Sequence, residues 1–251
     1  MHIFFSDAHL GFGSREDSRE RERHILRFLE HVGTLNPESL WIVGDLFDYW
    51  FEYRTVIPKE FVRTIGAIAA LADANIPVEY VIGNHDFGHK NFFESELGVK
   101  VHRDDVEREL AGHRVLISHG DGKALNDMGY LILKKILRAR TSNALWRWLH
   151  PDIGIGVAAR ASRKSRDHTT KKHYGGERPG EADGLQVFAQ KKIEKEGFDL
   201  VIMGHNHRAA VVEFDGGTCV NLGNWMGKER TYLEVGEEKV ELRKWRSIGE
   251  P

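Results

Sequence analysis

The sequence Tyr-Val-Ile-Gly-Asn-His-Asp-Phe, residues 80–87, joins a short apolar run to a glycine and three polar side chains. An apolar run that ends at a glycine predicts a buried strand followed by a turn. Ligands of α/β proteins bind where such strands end, so Asn84 and His85 are placed to meet one. An amide oxygen can ligate a metal, and an imidazole can ligate a metal or transfer a proton near neutral pH. Such turns are also common on surfaces, so the stretch gains weight only if other strands end similarly.

Four more predicted strands end in the same kind of polar cluster. The chain begins strand, helix, strand, helix, strand, an order that predicts βαβ units and a largely parallel sheet. We predict strands at 1–6, 40–43, 78–82, 114–118 and 199–203 and early helices at 18–33, with Gly33 as C-cap, and at 58–74. The polar residues at the strand ends are Asp7 and His9, Asp45, Asn84 and His85, His119, and His205 and His207. A single cluster is ordinary in a turn, but five in one chain predict a shared metal site.

The remaining pattern completes the predicted architecture. Short strands are predicted at 100–102 and 106–110, and an amphipathic helix at 183–196. Residues 209–246 alternate strand-like runs with turns, which predicts an antiparallel meander. The fold class is therefore α/β: one domain over residues 1–251, a sandwich of two sheets flanked by helices, with a helical cap inserted at about 122–180.

The composition fits a globular protein. The chain has 251 residues, of which 41% are hydrophobic, enough for one domain with a sizeable core. No apolar run approaches the ~18 residues that span a bilayer, and the strand-like start argues against a cleaved leader. Cys219 is the single cysteine, which excludes an internal disulfide and a thiolate metal cluster and fits a cytoplasmic protein.

Charge is concentrated in the predicted cap. Residues 134–172 contain eleven Lys and Arg against two Asp, a net charge of +9 in a chain whose total is −2. A basic segment on an acidic body indicates an anionic partner for that segment.

The donor atoms at the strand ends indicate which metals are suitable. All are nitrogen or oxygen atoms, and seven candidates are too many for one tetrahedral zinc ion but suit two ions that share a carboxylate. Mn²⁺, Fe²⁺, Zn²⁺ and Co²⁺ suit mixed imidazole and carboxylate ligands. Two such ions lower the pKa of a water and neutralise phosphoryl oxygens, which is chemistry for phosphate esters. The candidate ligands are Asp7, His9, Asp45, Asn84, His119, His205 and His207.

The ordered motifs Asp-x-His, Gly-Asp-x-x-Asp, Gly-Asn-His-Asp, His-Gly-Asp and Gly-His-x-His resemble those of the calcineurin-like metallophosphoesterase superfamily across most of residues 1–210. The resemblance implies that Asp45 bridges two ions. It implies that His85 does not ligate but donates a hydrogen bond or proton to the phosphate or leaving oxygen, and that Asp48 orients His85. One ion would be held by Asp7, His9, Asp45 and His207, and the other by Asp45, Asn84, His119 and His205.

Within that superfamily the motifs are most similar to the UDP-2,3-diacylglucosamine pyrophosphohydrolases of lipid A biosynthesis. The stretches that carry this similarity are 6–10, 44–50, 83–87, 119–122 and 127–130. The resemblance implies Mn²⁺ as the metal, hydrolysis of the pyrophosphate to UMP and 2,3-diacylglucosamine 1-phosphate, and a cap that helps to form an acyl-chain pocket. It also implies a peripheral location on the inner face of the cytoplasmic membrane.

Candidate substrate contacts lie in the cap and at the strand ends. Ser165, Thr169 and Lys172 are spaced to share one helix face, and Asp127 matches a substrate contact of the family. A solvated basic face is the alternative interpretation of this helix. The strand-end residues that would also contact substrate are Asn84, His85 and His205.

Two other functions remain open. The narrower family usually has Arg where this chain has His85 and Thr where it has Asn206, so a nucleotide or nucleic-acid phosphodiesterase is the first alternative. Nucleic acid is the less expected partner, because no pattern of base-stacking aromatic residues is evident. The second alternative is a non-catalytic metal-binding scaffold, against which the complete ligand set argues.

Overall fold

A computed structural model of the chain describes residues 1–123, 145–154, 156–157 and 181–246. These residues form two β-sheets with helices on their outer faces. The strands are β1 (His2–Phe5), β2 (Ser39–Val43), β3 (Val78–Val81), β4 (Lys100–His102), β5 (Val106–Leu110), β6 (His113–Ile117), β7 (Leu200–Met203), β8 (Ala210–Phe214), β9 (Gly217–Asn221), β10 (Arg230–Val235) and β11 (Val240–Trp245). The helices are α1 (Arg15–Leu35), α2 (Val62–Asp73), α3 (Phe92–Leu97) and α4 (Glu181–Glu196).

The first sheet has the strand order β11-β10-β1-β2-β3-β4, and the second has the order β5-β6-β7-β9-β8. Strands β1 to β4 run parallel, as the βαβ pattern predicts, and β6, β7 and β9 are parallel neighbours in the second sheet. The predicted C-terminal meander is wrong. The hairpin β8–β9 belongs to the second sheet and the hairpin β10–β11 to the first, where β10 pairs antiparallel with β1. Local alternation predicts strands but carries no signal for the sheet that each one joins.

The buried apolar side chains form three clusters, which lie between four layers of secondary structure. Alternate residues of β1 point to opposite sides of the first sheet, so Ile3 and Phe5 pack with α1 and α2 while Phe4 packs between the sheets. On the far side of the second sheet, Val201 packs with Leu185 of α4. The order of layers is therefore helices, first sheet, second sheet, helix, which confirms the predicted two-sheet sandwich.

Helix boundaries depend on contacts that the periodic pattern does not contain. Helix α1 begins after Ser14, which forms a capping box with Asp17, and it continues past the predicted C-cap Gly33 to a left-handed Asn36. Helix α3 was not predicted, because it has only six residues and its start is fixed by a distant carboxylate. Glu52 Oε2 accepts hydrogen bonds from the backbone N–H groups of residues 90–92 (2.8–3.0 Å).

Only a small part of the predicted cap, residues 122–180, lies within the described ranges. Residues 145–147 and 151–154 are helical, and the prediction for the rest of the cap falls outside the described residues. Within the described parts of the chain, no helix is both long enough and apolar enough to cross a membrane.

Candidate metal centre

The structure brings all seven predicted ligands together. Strands β1, β2 and β3 end side by side in the first sheet, and β6 and β7 end side by side in the second. The turns that follow these strands face one another across the top of the sandwich, because parallel strands carry their C-terminal ends to one edge. Three groups have ligand atoms within 4.8 Å of one another: Asp7, His9 and His207; His9, Asp45 and His85; and Asp7, Asp45 and His119.

The first part of the centre is built around Asp7 and His9, both fully buried. Asp7 Oδ1 lies 3.4 Å from His9 Nε2 and 3.3 Å from His207 Nε2. The two imidazole Nε2 atoms lie 3.1 Å apart. The other oxygen of Asp7 accepts hydrogen bonds from Ser6 Oγ (2.6 Å) and His205 N (3.0 Å), which orient Oδ1 toward the imidazoles. Three potential ligand atoms therefore point at one small volume.

The second part is built around Asp45 and His119. Asp45 Oδ2 lies 3.3 Å from His119 Nε2 and 3.7 Å from His9 Nε2, so this carboxylate stands between the two parts of the centre. His119 Nε2 also lies 3.2 Å from Asn84 Oδ1. His205 lies beside His119, with ring centroids 5.2 Å apart. These positions suit Asp45 as a ligand shared by two ions.

Main-chain contacts fix the orientation of the side chains. His119 Nδ1 donates to Val43 O (2.9 Å), which turns its Nε2 toward Asp45. Asp45 Oδ1 accepts from His85 N (2.8 Å), which leaves Oδ2 to face the imidazoles. A second hydrogen bond that fixes the tautomer of a ligating imidazole is the usual arrangement in metal sites.

His85 is partly exposed at the mouth of the centre, and its contact with Asp48 differs from the simple carboxylate pair that the motif implies. His85 Nδ1 donates to the backbone O of Asp48 (3.1 Å) and lies 3.7 Å from Asp48 Oδ1. The same carboxylate oxygen lies closer to His9 Nδ1, at 3.5 Å. Asp48 is thus placed to orient two imidazoles, His9 through its side chain and His85 mainly through its carbonyl.

Five of the seven predicted ligands have a left-handed backbone. This conformation costs a non-glycine residue about 1–3 kcal/mol and persists only where surrounding contacts enforce it. Because these left-handed residues are concentrated at one site, we infer that the fold loses some stability in order to orient these side chains. The φ angles are 53° for Asp7, 45° for His9, 53° for Asp45, 72° for His205 and 61° for His207.

Gly83 of the opening stretch is required by close approach. A Cβ atom at this position would lie 2.0 Å from Asp45 Oδ1 and 2.6 Å from Asp45 N. Gly204 has the same role at the end of β7, where a Cβ would lie 2.4 Å from Asp7 Oδ2. The two glycines let neighbouring turns pack directly against the two carboxylates.

Ser6 and Asp86 support the centre without having been predicted to do so. Asp86 is fully buried and accepts hydrogen bonds from Gly83 N (2.7 Å), Leu46 N (3.0 Å) and Tyr80 Oη (2.5 Å). It thereby fastens the turn after β3 to the turn after β2. Asp86 lies in the opening stretch, so its acidic side chain next to His85 was a signal that sequence reasoning could have used.

The electrostatics of the centre favour a bound cation. Burial alone would raise the pKa of Asp7, but His207 and His9 hold it well below its usual range. The pKa of Asp45 is also lowered: burial opposes ionisation, and the charges of His119 and His85 outweigh it. Burial would lower the pKa of His119, yet the carboxylate of Asp45 raises it to about 10. The ionised, buried carboxylate of Asp45 therefore holds positive charge on the imidazole of His119, whereas burial and the charge of His119 lower the pKa of His205.

The donor set fits divalent metal ions on two counts. Among the described residues, Asp7 Oδ1 has no hydrogen-bond partner although it is buried, and a buried carboxylate oxygen in that state needs a cation. Because His119 Nδ1 donates to Val43 O, the neutral ring would point a lone pair from Nε2 at two oxygen atoms. A positive charge there, from a proton or a metal ion, removes that conflict.

The described segment of the predicted cap, residues 145–154, packs against residues 51–53, here called the cap seat. Arg147 Nε donates to Glu52 O (2.9 Å), and its guanidinium lies 5.1 Å from the centroid of the Phe51 ring. Trp146 packs edge-on against Phe51. The predicted substrate contacts Asp127, Ser165, Thr169 and Lys172 lie outside the described residues.

Comparison with known proteins gives a consistent result. A family model described as calcineurin-like phosphoesterase matches residues 3–209. Relatives that carry the name UDP-2,3-diacylglucosamine hydrolase include those of Porphyromonas gingivalis (31% identical, covering 89% of both chains), Haemophilus ducreyi (26%, covering 96% of this chain and 98% of the relative) and Neisseria gonorrhoeae (28%, covering 92% of both). Among solved structures, an archaeal phosphodiesterase matches with a TM-score of 0.50 at 15% identity, over 97% of this chain and 98% of its own, and supports the fold.

Proposed function

The chain belongs to the calcineurin-like phosphoesterase family, a metal-dependent group of phosphohydrolases, and from that premise we propose that it hydrolyses the pyrophosphate bond of UDP-2,3-diacylglucosamine. The products would be UMP and 2,3-diacylglucosamine 1-phosphate. Relatives named for this substrate align along nearly the whole chain, cap included. The observation that carries the proposal is the convergence of seven N- and O-donor side chains, around two ionised carboxylates, at one edge of the sandwich.

The residues divide between two ion sites that share Asp45. Bound there, two divalent ions, which we propose to be Mn²⁺, would activate the attacking water and neutralise charge on the phosphoryl oxygens. Fe²⁺, Zn²⁺ and Co²⁺ suit the same donor set. Asp7, His9 and His207 would complete one site, and Asn84, His119 and His205 the other.

Asn84, His85 and His205 would contact the substrate as well, because they are the partly exposed members of the centre, together with His207. His85 Nδ1 donates to Asp48 O, so Nε2 is directed away from this contact and can carry the proton for the phosphate or the leaving oxygen. Asn84 offers its amide N–H groups to the phosphoryl oxygens while Oδ1 faces His119. Fixed donors of this kind stabilise the charge that develops in the transition state.

The exposed apolar side chains of the cap favour a substrate that is presented by a membrane. Trp148 is 90% exposed and Leu145 72% exposed, and Leu149 and Ile153 extend the same short segment. Basic residues surround it in the sequence, and apolar residues flanked by Lys and Arg are typical of segments that lie in a lipid interface. We therefore propose peripheral contact with the inner face of the cytoplasmic membrane, where a nucleotide-linked lipid is available.

Substrate assays with the purified chain and Mn²⁺ test the proposal. We expect UMP release from UDP-2,3-diacylglucosamine, with bis-p-nitrophenyl phosphate and oligonucleotides turned over poorly. Preferential cleavage of oligonucleotides or the generic diester would favour the alternative phosphodiesterase, in which His85 serves a different leaving group. No turnover of any of the three would favour a metal-binding scaffold.

Replacement of Asn84 tests the assignment of the site. Asn84→Ala removes the oxygen that faces His119 and the amide that faces the substrate, so turnover should be lost. Asn75→Gly is the matched control, because it removes an exposed amide from a left-handed turn after α2. An Asn84→Ala variant with full activity would contradict the site.

A further inference from the structure

The left-handed backbone at His9 and His207 needs contacts that hold it, and two side chains outside the ligand set supply them. Asn224 follows β9 and Arg21 lies in α1, so they approach the centre from different elements. Each donates a hydrogen bond to the main-chain carbonyl of one predicted ligand. Neither residue belongs to a motif that pointed to the metal site.

Asn224 acts on the turn after β7. Strands β7 and β9 are parallel neighbours, so the turns that follow them emerge side by side. Asn224 Nδ2 donates to His207 O (2.8 Å), and its Oδ1 accepts from Met226 N (2.8 Å). The next residue, Trp225, is buried in the core and donates its backbone N–H to Asp7 O (3.1 Å). The amide of Asn224 is therefore held on both sides and fixes the carbonyl of a ligand whose φ is 61°.

Arg21 does the same for His9. Its side chain is buried, and Nη1 donates to His9 O (2.7 Å). The guanidinium also lies over the ring of Phe12, 5.9 Å from its centroid, which holds it at the turn after β1. The carbonyl that it fixes belongs to a ligand whose φ is 45°. The rings of His9 and His207 meet edge to face with their Nε2 atoms 3.1 Å apart, so the two contacts aim at the same point.

We propose that Asn224 and Arg21 are positioning residues for one ion of the pair, the ion held by Asp7, His9, Asp45 and His207. They act through the backbone of His9 and His207, because a left-handed residue released from its contacts relaxes and turns its side chain away. The second ion draws on Asn84, His119 and His205, whose own carbonyls receive neither hydrogen bond. This inference rests on the two-ion site of the proposed function.

The test counts bound Mn²⁺. Metal-free protein is titrated with Mn²⁺, and free Mn²⁺ is measured by electron paramagnetic resonance. In Asn224→Ala and in Arg21→Met, the affinity for one of the two ions should fall about 10- to 100-fold, as it does when groups that support metal ligands are removed, while the affinity for the other ion stays the same. The two variants come from separate elements, so either one tests the inference if the other does not fold.

Thr231→Val is the matched control. Thr231 is a buried residue of β10, and its hydroxyl donates to Leu222 O (2.5 Å) in the turn that contains Asn224. This hydrogen bond does not involve the carbonyl of a predicted ligand. The control should lower the melting temperature of the metal-free protein and leave both Mn²⁺ affinities unchanged. Equal weakening of both ions in Asn224→Ala and Arg21→Met, or no weakening, would overturn the inference. A wild-type protein that binds no Mn²⁺ would overturn the proposed function together with it.

Discussion

The metal centre and the cap seat lie next to each other but are stabilised in different ways. The turns of the centre are joined directly by main-chain hydrogen bonds, such as those from Asp7 N to Gly44 O (3.1 Å) and from His9 N to Asp45 O (2.9 Å), and side chains such as Arg21 and Asn224 add to them. Residues 145–154 are attached to the cap seat through side chains, chiefly by the hydrogen bond from Arg147 to the backbone carbonyl of Glu52. The centre buries carboxylates and imidazoles, whereas the segment on the cap seat exposes Trp148.

This difference suggests that the metal centre carries out the hydrolysis and that the cap seat contributes to substrate recognition. Turns fixed by backbone contacts hold ligand atoms to within the tolerance that metal binding requires, whatever the substrate. A segment attached by a few side chains can differ between relatives, and can shift, without disturbing the centre. We therefore expect changes at the centre to abolish all phosphoester hydrolysis and changes at the cap seat to alter only the use of a lipid substrate.

The largest effect is expected for Asp45→Asn. Asp45 Oδ2 faces both His119 and His9, so its charge serves both parts of the centre. Loss of that charge should lower kcat at least about 10³-fold on the lipid substrate and on bis-p-nitrophenyl phosphate alike, since metal ions contribute several kcal/mol to catalysis. Asp215→Asn, in the exposed turn between β8 and β9, is the control. A variant that loses activity on one substrate alone would break the proposed separation.

The convergence of these side chains could be predicted from the sequence because each strand end contains its own signal. The apolar run, the glycine and the polar cluster are local, and the parallel order of β1 to β3 then brings them together. The contacts of Asn224 and Arg21 could not be predicted in this way, because each joins a side chain of one element to a backbone carbonyl of another, 12 residues away for Arg21 and 17 for Asn224, and no local pattern marks such a pair. Helix α3 was missed for the same reason, since a carboxylate forty residues away defines its start.

Glu52 lies in the cap seat, and its carboxylate contacts the core. Its replacement should have the next largest effect, a loss in the free energy of unfolding. Burial would raise the pKa of Glu52, but hydrogen bonding and charge from His89, with help from Phe92 N and Trp50, lower it to about 2. The pKa of Glu52 is lower in the folded than in the unfolded protein, so its ionised carboxylate stabilises the fold. This stabilisation is complete above about pH 4.5 and is lost as the pH falls toward 2. Glu52→Gln should therefore lower the free energy of unfolding at pH 7 by about 3 kcal/mol.

Urea unfolding in EDTA at pH 7 and pH 3 checks this expectation. The difference between wild type and Glu52→Gln should shrink to about 1 kcal/mol at pH 3, because the wild type loses most of the contribution there. Glu213→Gln, on the exposed side of β8, should show no such difference. A gap between Glu52→Gln and wild type that stays constant between the two pH values would contradict the role of the charge.

Arg147→Met should affect the lipid substrate selectively. The change removes the hydrogen bond to Glu52 O and the contact with the Phe51 ring, so the described cap segment loses its main attachment. A charged hydrogen bond contributes about 1.5–3 kcal/mol, so KM for UDP-2,3-diacylglucosamine should rise roughly tenfold. Turnover of bis-p-nitrophenyl phosphate should not change. Arg54→Met, at an exposed position beside the cap seat, is the control, and an equal loss on both substrates would contradict the separation.

Trp148→Ser should have the smallest effect, confined to the membrane. Trp148 lies almost fully exposed on the segment that Arg147 attaches, so its removal leaves the centre and the cap seat intact. Sedimentation with anionic phospholipid vesicles should show about fivefold weaker binding, the equivalent of partial burial of one large side chain. Val211→Ser, which removes an exposed apolar side chain from β8, should bind as the wild type does. If the two variants bind equally well, the cap segment does not contact the lipid. The metal centre and the cap seat would then be two parts of one catalytic cleft, without a separate membrane contact.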